Sequence, residues 1–219
     1  YDWSGYYAGA HVGGAWGPET WTLVDNPGDG ESGSVGSAVT THDIDGFFGG
    51  VQVGRNWQDG DRVWGVEAEI SWADIDGSSA RVSGGEKPGP RAWSSDMKWL
   101  ATLGPRVGMA KDRNLFYVEG GLALANADYY HLGAYGGPPT PVPVGAERSY
   151  YGTDTNVGWF VGAGVERAVA NNWSVRGEYN IIALGMRDQK LWGNPSEPAV
   201  FQVSPGMHTI KFSLNYLFR

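Results

Sequence analysis

Glu67, Glu69, Lys98, Arg106, Glu119, Glu166, Arg176, Glu178 and Lys211 are the side chains whose types and spacing could do chemistry, and that chemistry is charge pairing. Hydrolysis or acyl transfer would instead need a nucleophile, a base and an orienting group within hydrogen-bond reach. The four histidines, His11, His42, His131 and His208, lie in no recognisable catalytic motif. Cysteine is absent, so neither a disulfide nor a thiolate metal ligand is available. No catalytic residue, cofactor or metal site is assigned. Glu19, Asp25, Asp29, Glu31, Asp43 and Asp45 stand together unopposed by Lys or Arg and account for most of the formal net charge of -8. Hard cations take several carboxylate and carbonyl oxygens, but residues 25–31 lack the spacing of a calcium loop. These six acids read as a solvated, mutually repelling loop.

The elements that must position the charged set are strands. Near the end of the chain Ile210, Phe212, Leu214, Tyr216 and Phe218 alternate with Lys211, Ser213 and Asn215. Successive side chains of a strand point to opposite faces, so one face is apolar and the other polar. The same two-faced pattern recurs over 5–16, 47–58, 63–73, 97–110, 115–128, 156–167, 173–184 and 207–218. Each stretch can cross a bilayer when tilted, which takes roughly 9–11 residues. No run of about 18 apolar residues is present for a membrane helix. The connections 59–62, 111–114 and 168–172 are short and rich in Asp, Asn and Gly, residues that tolerate turn dihedrals. The connections 17–46, 74–96, 129–155 and 185–206 are long, and 136–143 should be extended, polyproline-like chain. Short and long alternate strictly. The expected fold is all-β: one domain over 1–219, an eight-stranded antiparallel up-and-down transmembrane β-barrel with short periplasmic turns, four long extracellular loops and both termini periplasmic. The chain begins with Tyr1 rather than Met, which reads as a mature protein whose secretion signal has been removed.

Alternation alone does not say which face is inside, so a soluble, lipocalin-like barrel with an apolar interior is the rival. Three observations favour a membrane barrel. Small residues such as Gly158, Gly162 and Gly164 fill the polar face, as the crowded lumen of an eight-stranded barrel requires. Aromatic residues collect at two levels: Tyr6, Trp57, Trp64, Phe116, Trp173 and Phe218 toward the short turns, and Trp16, Phe47, Trp72, Trp99 and Trp159 toward the long loops. Two such girdles mark the two interfaces of a bilayer. The third is the inequality of the connections. With the polar face inside, five carboxylates (Glu67, Glu69, Glu119, Glu166, Glu178) meet four cations (Lys98, Arg106, Arg176, Lys211), joined by His11, Gln52, Asn56, Ser71, Thr102, Asn180, Ser213 and Asn215. Charges removed from bulk water must be paired. The expectation is a salt-bridge network that plugs the lumen, with Arg106 and Arg176 held by Glu67, Glu119 or Glu178. Pro105 sits on the lipid side of 97–110, where a local bulge would absorb its missing donor.

Trp3-Ser4-Gly5-Tyr6-Tyr7-Ala8-Gly9-Ala10-His11-Val12-Gly13 closely resembles the first strand of the small outer-membrane barrels of alphaproteobacteria, the opacity-type surface antigens. The segment 46–58 resembles the second strand of that family, and 65–69 followed by 74–77 the third. The resemblance implies an eight-stranded outer-membrane barrel, related in architecture to the OmpA transmembrane domain. It also implies Tyr216 and Phe218 as the aromatic insertion signal read by the barrel-assembly machinery, although Arg219 follows where members usually end. The function expected is structural: a surface protein of the cell outer membrane in a Gram-negative bacterium, lying in the lipid bilayer beside lipopolysaccharide and presenting acidic, Gly/Pro-rich loops outward. Neighbouring envelope proteins or further copies of the chain are the expected protein partners, and nucleic acid is not. The alternatives are a narrow small-solute porin, capture of a ligand such as haem through His42 or His131, and an enzyme.

Overall fold

Alternating inward and outward side chains carry the strands well past the membrane-sized stretches. The computed structural model describes residues 1–25, 38–83, 89–133, 148–185, 187–191 and 199–218. The strands are β1 (Gly5–Asp25), β2 (Ala38–Asp59), β3 (Arg62–Ser83), β4 (Gly89–Lys111), β5 (Asn114–Gly133), β6 (Arg148–Ala168), β7 (Trp173–Leu184), β8 (Arg187–Leu191) and β9 (Ala199–Phe218). Each pairs antiparallel with the next up to β7, both β7 and β8 pair with β9, and β9 returns to β1. Because β7 and β8 lie end to end against β9, the wall has eight strands and closes on itself. No helix occurs among the described residues.

Much of what the composition marks as loop is strand. Stretches 17–25, 38–46, 74–83, 89–96, 129–133, 148–155 and 199–206 continue the ladders, so the barrel projects beyond its apolar band at the long-connection end. The physical reason is that each backbone N–H and C=O needs a partner in water or out of it, and inward Trp21, Ile44, Ile75 and Trp93 keep the alternation going. The segment 136–143 and the acids Asp29 and Glu31 lie outside the described residues. The short turns take the form that their residues favour, with Gly60 at φ 61° and Asp112 at φ 55°.

Two irregularities decide which way side chains point. Lys98 is paired in neither flanking ladder, because the register slips between Met97 and Trp99 against β5 and between Trp72 and Ile75 against β4. A one-residue slip sends the following side chains to the opposite face. Pro105, by contrast, causes no bulge: it pairs with Val66, and the β4–β5 ladder resumes in the same register at Arg106 and Glu119. The β4–β5 ladder is interrupted at Gly104 and Pro105 without a change of register, and the backbones run close there: a Cβ on Gly104 would lie 2.1 Å from the Gly120 carbonyl oxygen.

The outward face carries an apolar band that includes Val12, Val53, Val66, Leu103, Val118, Val161, Ile210 and Leu214, all exposed. Above it, toward the long connections, Asp45, Asp76, Asp96 and Asp128 lie directly opposite one another across β2 to β5.

Candidate functional site

The site is the inside of the barrel. Glu67 accepts hydrogen bonds from Tyr7 Oη and from Arg176 Nη1 at 2.6 Å, and Arg106 Nη1 lies 3.4 Å away. Arg176 also reaches Glu69 Oε1 at 3.1 Å and Glu178 Oε2 at 3.6 Å. Lys211 donates to Glu69 Oε2 at 2.6 Å and to Glu178 Oε1 at 2.7 Å. Arg106 Nη2 bonds Glu166 Oε2 at 3.0 Å, and the other oxygen of Glu166 accepts from Ser174 and Asn215. The Arg106 guanidinium lies 3.9 Å from the centre of the Tyr117 ring, whose hydroxyl donates to Glu178. His11 Nδ1 lies 2.6 Å from Gln52 Oε1 and its Nε2 2.8 Å from Ser71 Oγ. All three cations are almost wholly buried, so each is useful only as part of this net.

Lys98 is not among them. It is exposed on the outer surface beside Asp96 and Asp128, because the slip at Met97 to Trp99 gives the inward place to Met97. Among the described residues the central charged layer therefore holds five carboxylates, Glu67, Glu69, Glu119, Glu166 and Glu178, against three cations, Arg106, Arg176 and Lys211. Glu119 is buried opposite Arg106 on the neighbouring strand, yet it takes part in none of the ion pairs among the described residues. Glu67, Glu69 and Glu178 bring carboxylate oxygens within 4.8 Å of one another. Arg176 and Lys211 already supply the positive charge at that point.

Apolar side chains close the charged layer on both sides, and the sequence reading missed them. Toward the long connections Phe48, Leu100, Phe160 and Ile182 sit on the layer, with Met97, Leu184 and Met207 next and Trp21, Trp93, Tyr129 and Val203 beyond. Toward the short turns Trp3, Val63, Leu115, Tyr117 and Ala168 form a second plug. Gly5 admits Trp3 to that plug: the chain turns there at φ 133°, where a Cβ would lie 2.8 Å from the Phe218 carbonyl oxygen. The cavity beside Glu69 and Lys211 measures about 10 Å³, room for about one water. The missed signal is the run Phe48, Leu100, Phe160, Ile182, in phase with the polar lumen residues rather than with the lipid-facing ones.

At the far end Glu19 is buried, accepts from Trp21 Nε1 at 2.8 Å and lies 3.3 Å from His42 Nε2. Two residues assigned to a solvated loop and to ligand capture thus face each other inside the barrel. Burial and the nearby Glu19 carboxylate push the Tyr129 hydroxyl pKa up, and Asn156 donates to that hydroxyl at 2.6 Å. The His131 side chain lies outside the described residues. His208 faces outward, its Nδ1 2.7 Å from Tyr179 Oη and its ring stacked on Trp16. Trp16, Trp64, Trp72, Trp159 and Trp173 are exposed, Trp57 and Trp99 are partly exposed, and Trp57 pairs with Trp64 as Trp72 does with Trp99. Tyr216 packs edge-on against both Trp173 and Phe218.

The family model described as outer membrane protein beta-barrel domain matches residues 1–218. The 31 kDa outer-membrane immunogenic protein of Brucella melitensis biotype 1 is 32% identical over 226 residues, covering 100% of this chain and 85% of that protein. The 22 kDa outer membrane protein of Rhizobium leguminosarum bv. viciae is 31% identical over 159 residues, covering 73% of this chain and 61% of that one. Among solved structures the outer membrane protease OmpT of Escherichia coli superposes with a TM-score of 0.58 at 10% identity, over 98% of this chain and 97% of the other. At that identity the likeness is one of fold.

Proposed function

The chain belongs to the outer membrane β-barrel family, and from that premise we propose that it is a structural surface protein that helps hold the outer membrane of a Gram-negative bacterium together. Its barrel lies in the bilayer beside lipopolysaccharide, its short turns and termini face the periplasm, and its long ends face outward. The observation that carries the reading is the lumen, a charged layer with apolar side chains packed above and below it. A solute or ion crossing it would have to part Arg176 and Lys211 from their carboxylates and then displace Phe48 and Phe160, or Trp3 and Leu115. That makes a porin the weaker alternative. Outward presentation of the long ends fits the name of the Brucella relative, an outer-membrane immunogenic protein. No enzymatic step is assigned: the three lumen cations are engaged with Glu67, Glu69, Glu166 and Glu178, and Glu119 has no histidine or hydroxyl nucleophile bonded to it among the described residues. Tyr216 and Phe218 are the side chains through which the barrel-assembly machinery would take up the strand, and neighbouring envelope proteins or further copies are the protein contacts to look for.

The test joins two measurements. The purified barrel in planar bilayers should stay silent, and cells lacking the gene should admit a hydrophobic dye faster than cells in which it is restored. Discrete conductance steps, or equal dye uptake in both strains, would overturn the proposal.

A further inference from the structure

We propose that Arg55 is a phosphate-binding residue for a glycerophospholipid, seating one anionic headgroup of the leaflet that meets the short-turn end of the barrel. Arg55 is exposed on the outward face of β2. Its outward neighbours are Val53 and Trp57 on its own strand, Tyr6 on β1 and Val66 on β3, none of them charged. Val53 and Val66 belong to the lipid-facing band, and Tyr6 and Trp57 to the aromatic girdle, so the guanidinium stands where hydrocarbon gives way to headgroups. A cation at that depth needs a counter-charge or a route to water. No ion pair among the described residues includes it.

The side chain is nonetheless held in place. Its guanidinium carbon lies 4.8 Å from the ring centres of both Tyr6 and Trp57, and Nη1 donates to Tyr6 Oη at 3.0 Å. Two aromatic faces and one hydrogen bond fix the plane and leave most of its five N–H donors pointing past the rings. A planar fork with fixed orientation is suited to two oxygens of one phosphate, and a flexible ammonium is not. The anion of the right chemistry at this level is a lipid phosphodiester. An anionic headgroup is favoured over a zwitterionic one because it brings no ammonium group to compete. The inference rests on the proposed orientation, with short turns toward the periplasm, since the periplasmic leaflet of the outer membrane consists of glycerophospholipid.

The test is native mass spectrometry of the folded barrel with phosphatidylglycerol titrated into a phosphatidylcholine background. Wild type should retain one phosphatidylglycerol molecule. Arg55→Gln should bind it about fivefold more weakly, the loss expected for one basic residue at a membrane surface. Arg55→Lys should fall between, and Arg167→Gln, on β6, should match wild type. Equal retention by wild type and Arg55→Gln would overturn the proposal, and so would displacement of the lipid by millimolar inorganic phosphate, which would make this a site for free anions. If Arg55→Gln does not fold, Arg55→Lys carries the test: binding indistinguishable from wild type counts against the phosphate fork. A wild-type chain that fails to give the folded, heat-modifiable band would sink the membrane reading itself, a result distinct from a folded barrel that binds no lipid.

Discussion

Arg176 touches three carboxylates, Glu67, Glu69 and Glu178, and Glu119 touches no cation, although the two differ little in burial. Their removal should therefore differ in cost. Arg176→Met leaves two buried carboxylates, Glu67 and Glu178, and the partly buried Glu69 short of a partner and should destabilise the barrel by about 3–5 kcal/mol. Glu119→Gln replaces a carboxyl that has no ion-pair partner with a neutral group of the same shape and should stay within about 1 kcal/mol of the parent. Urea unfolding followed by the heat-modifiable gel shift measures both, and equal costs would mean that the network is not the unit described above. The facing of Glu67, Arg106, Glu166, Arg176, Glu178 and Lys211 could be read from spacing, because a strand has a period of two. Lys98 could not, since the step that turns it outward is a ladder slip set by β3 and β5 rather than by its immediate neighbours. Nor could the choice of Glu166 over Glu119 by Arg106, which depends on where a long side chain reaches across the lumen.

Strand ends were the least legible elements. Asp59 to Arg62 and Lys111 to Asn114 announce their turns through residues that accept positive φ, whereas glycine, proline and serine in the outer stretches disguise ladders that continue to Asp25, Ser83 and Gly133. One consequence of those longer ladders is the aspartate row across β2 to β5. Like charges directly opposite in a sheet are destabilising, and of the four only Asp96 and Asp128 have Lys98 beside them. Asp76→Asn should therefore stabilise the barrel by about 0.2–1 kcal/mol at low ionic strength. The gain should shrink in about 1 M salt, where the screening length falls to about 3 Å. A gain independent of salt would mean that the effect is not electrostatic.

At the scale of the whole molecule the outward band and the inward layers are two records of the same alternation, and one substitution separates them. Leu214→Arg puts a charge on the lipid face and should cost about 2–4 kcal/mol if the residue lies at mid-bilayer, falling to about 0–1 near an interface. Unfolding from phosphatidylcholine vesicles, compared with the parent, gives the depth of that position, and a cost near zero would move the apolar band along the barrel. The closed lumen has a further consequence, and it is mechanical. Protein interiors packed like molecular crystals have low compressibility, and this cylinder is occupied from Trp3 at one end to Trp93 at the other. A hollow tube of the same wall could flatten when the surrounding sheet is stretched or squeezed. This one should act as a solid pin: on the proposed structural role, lateral load would pass around it into the lipid, and an array of such pins would stiffen a membrane in proportion to the area they occupy.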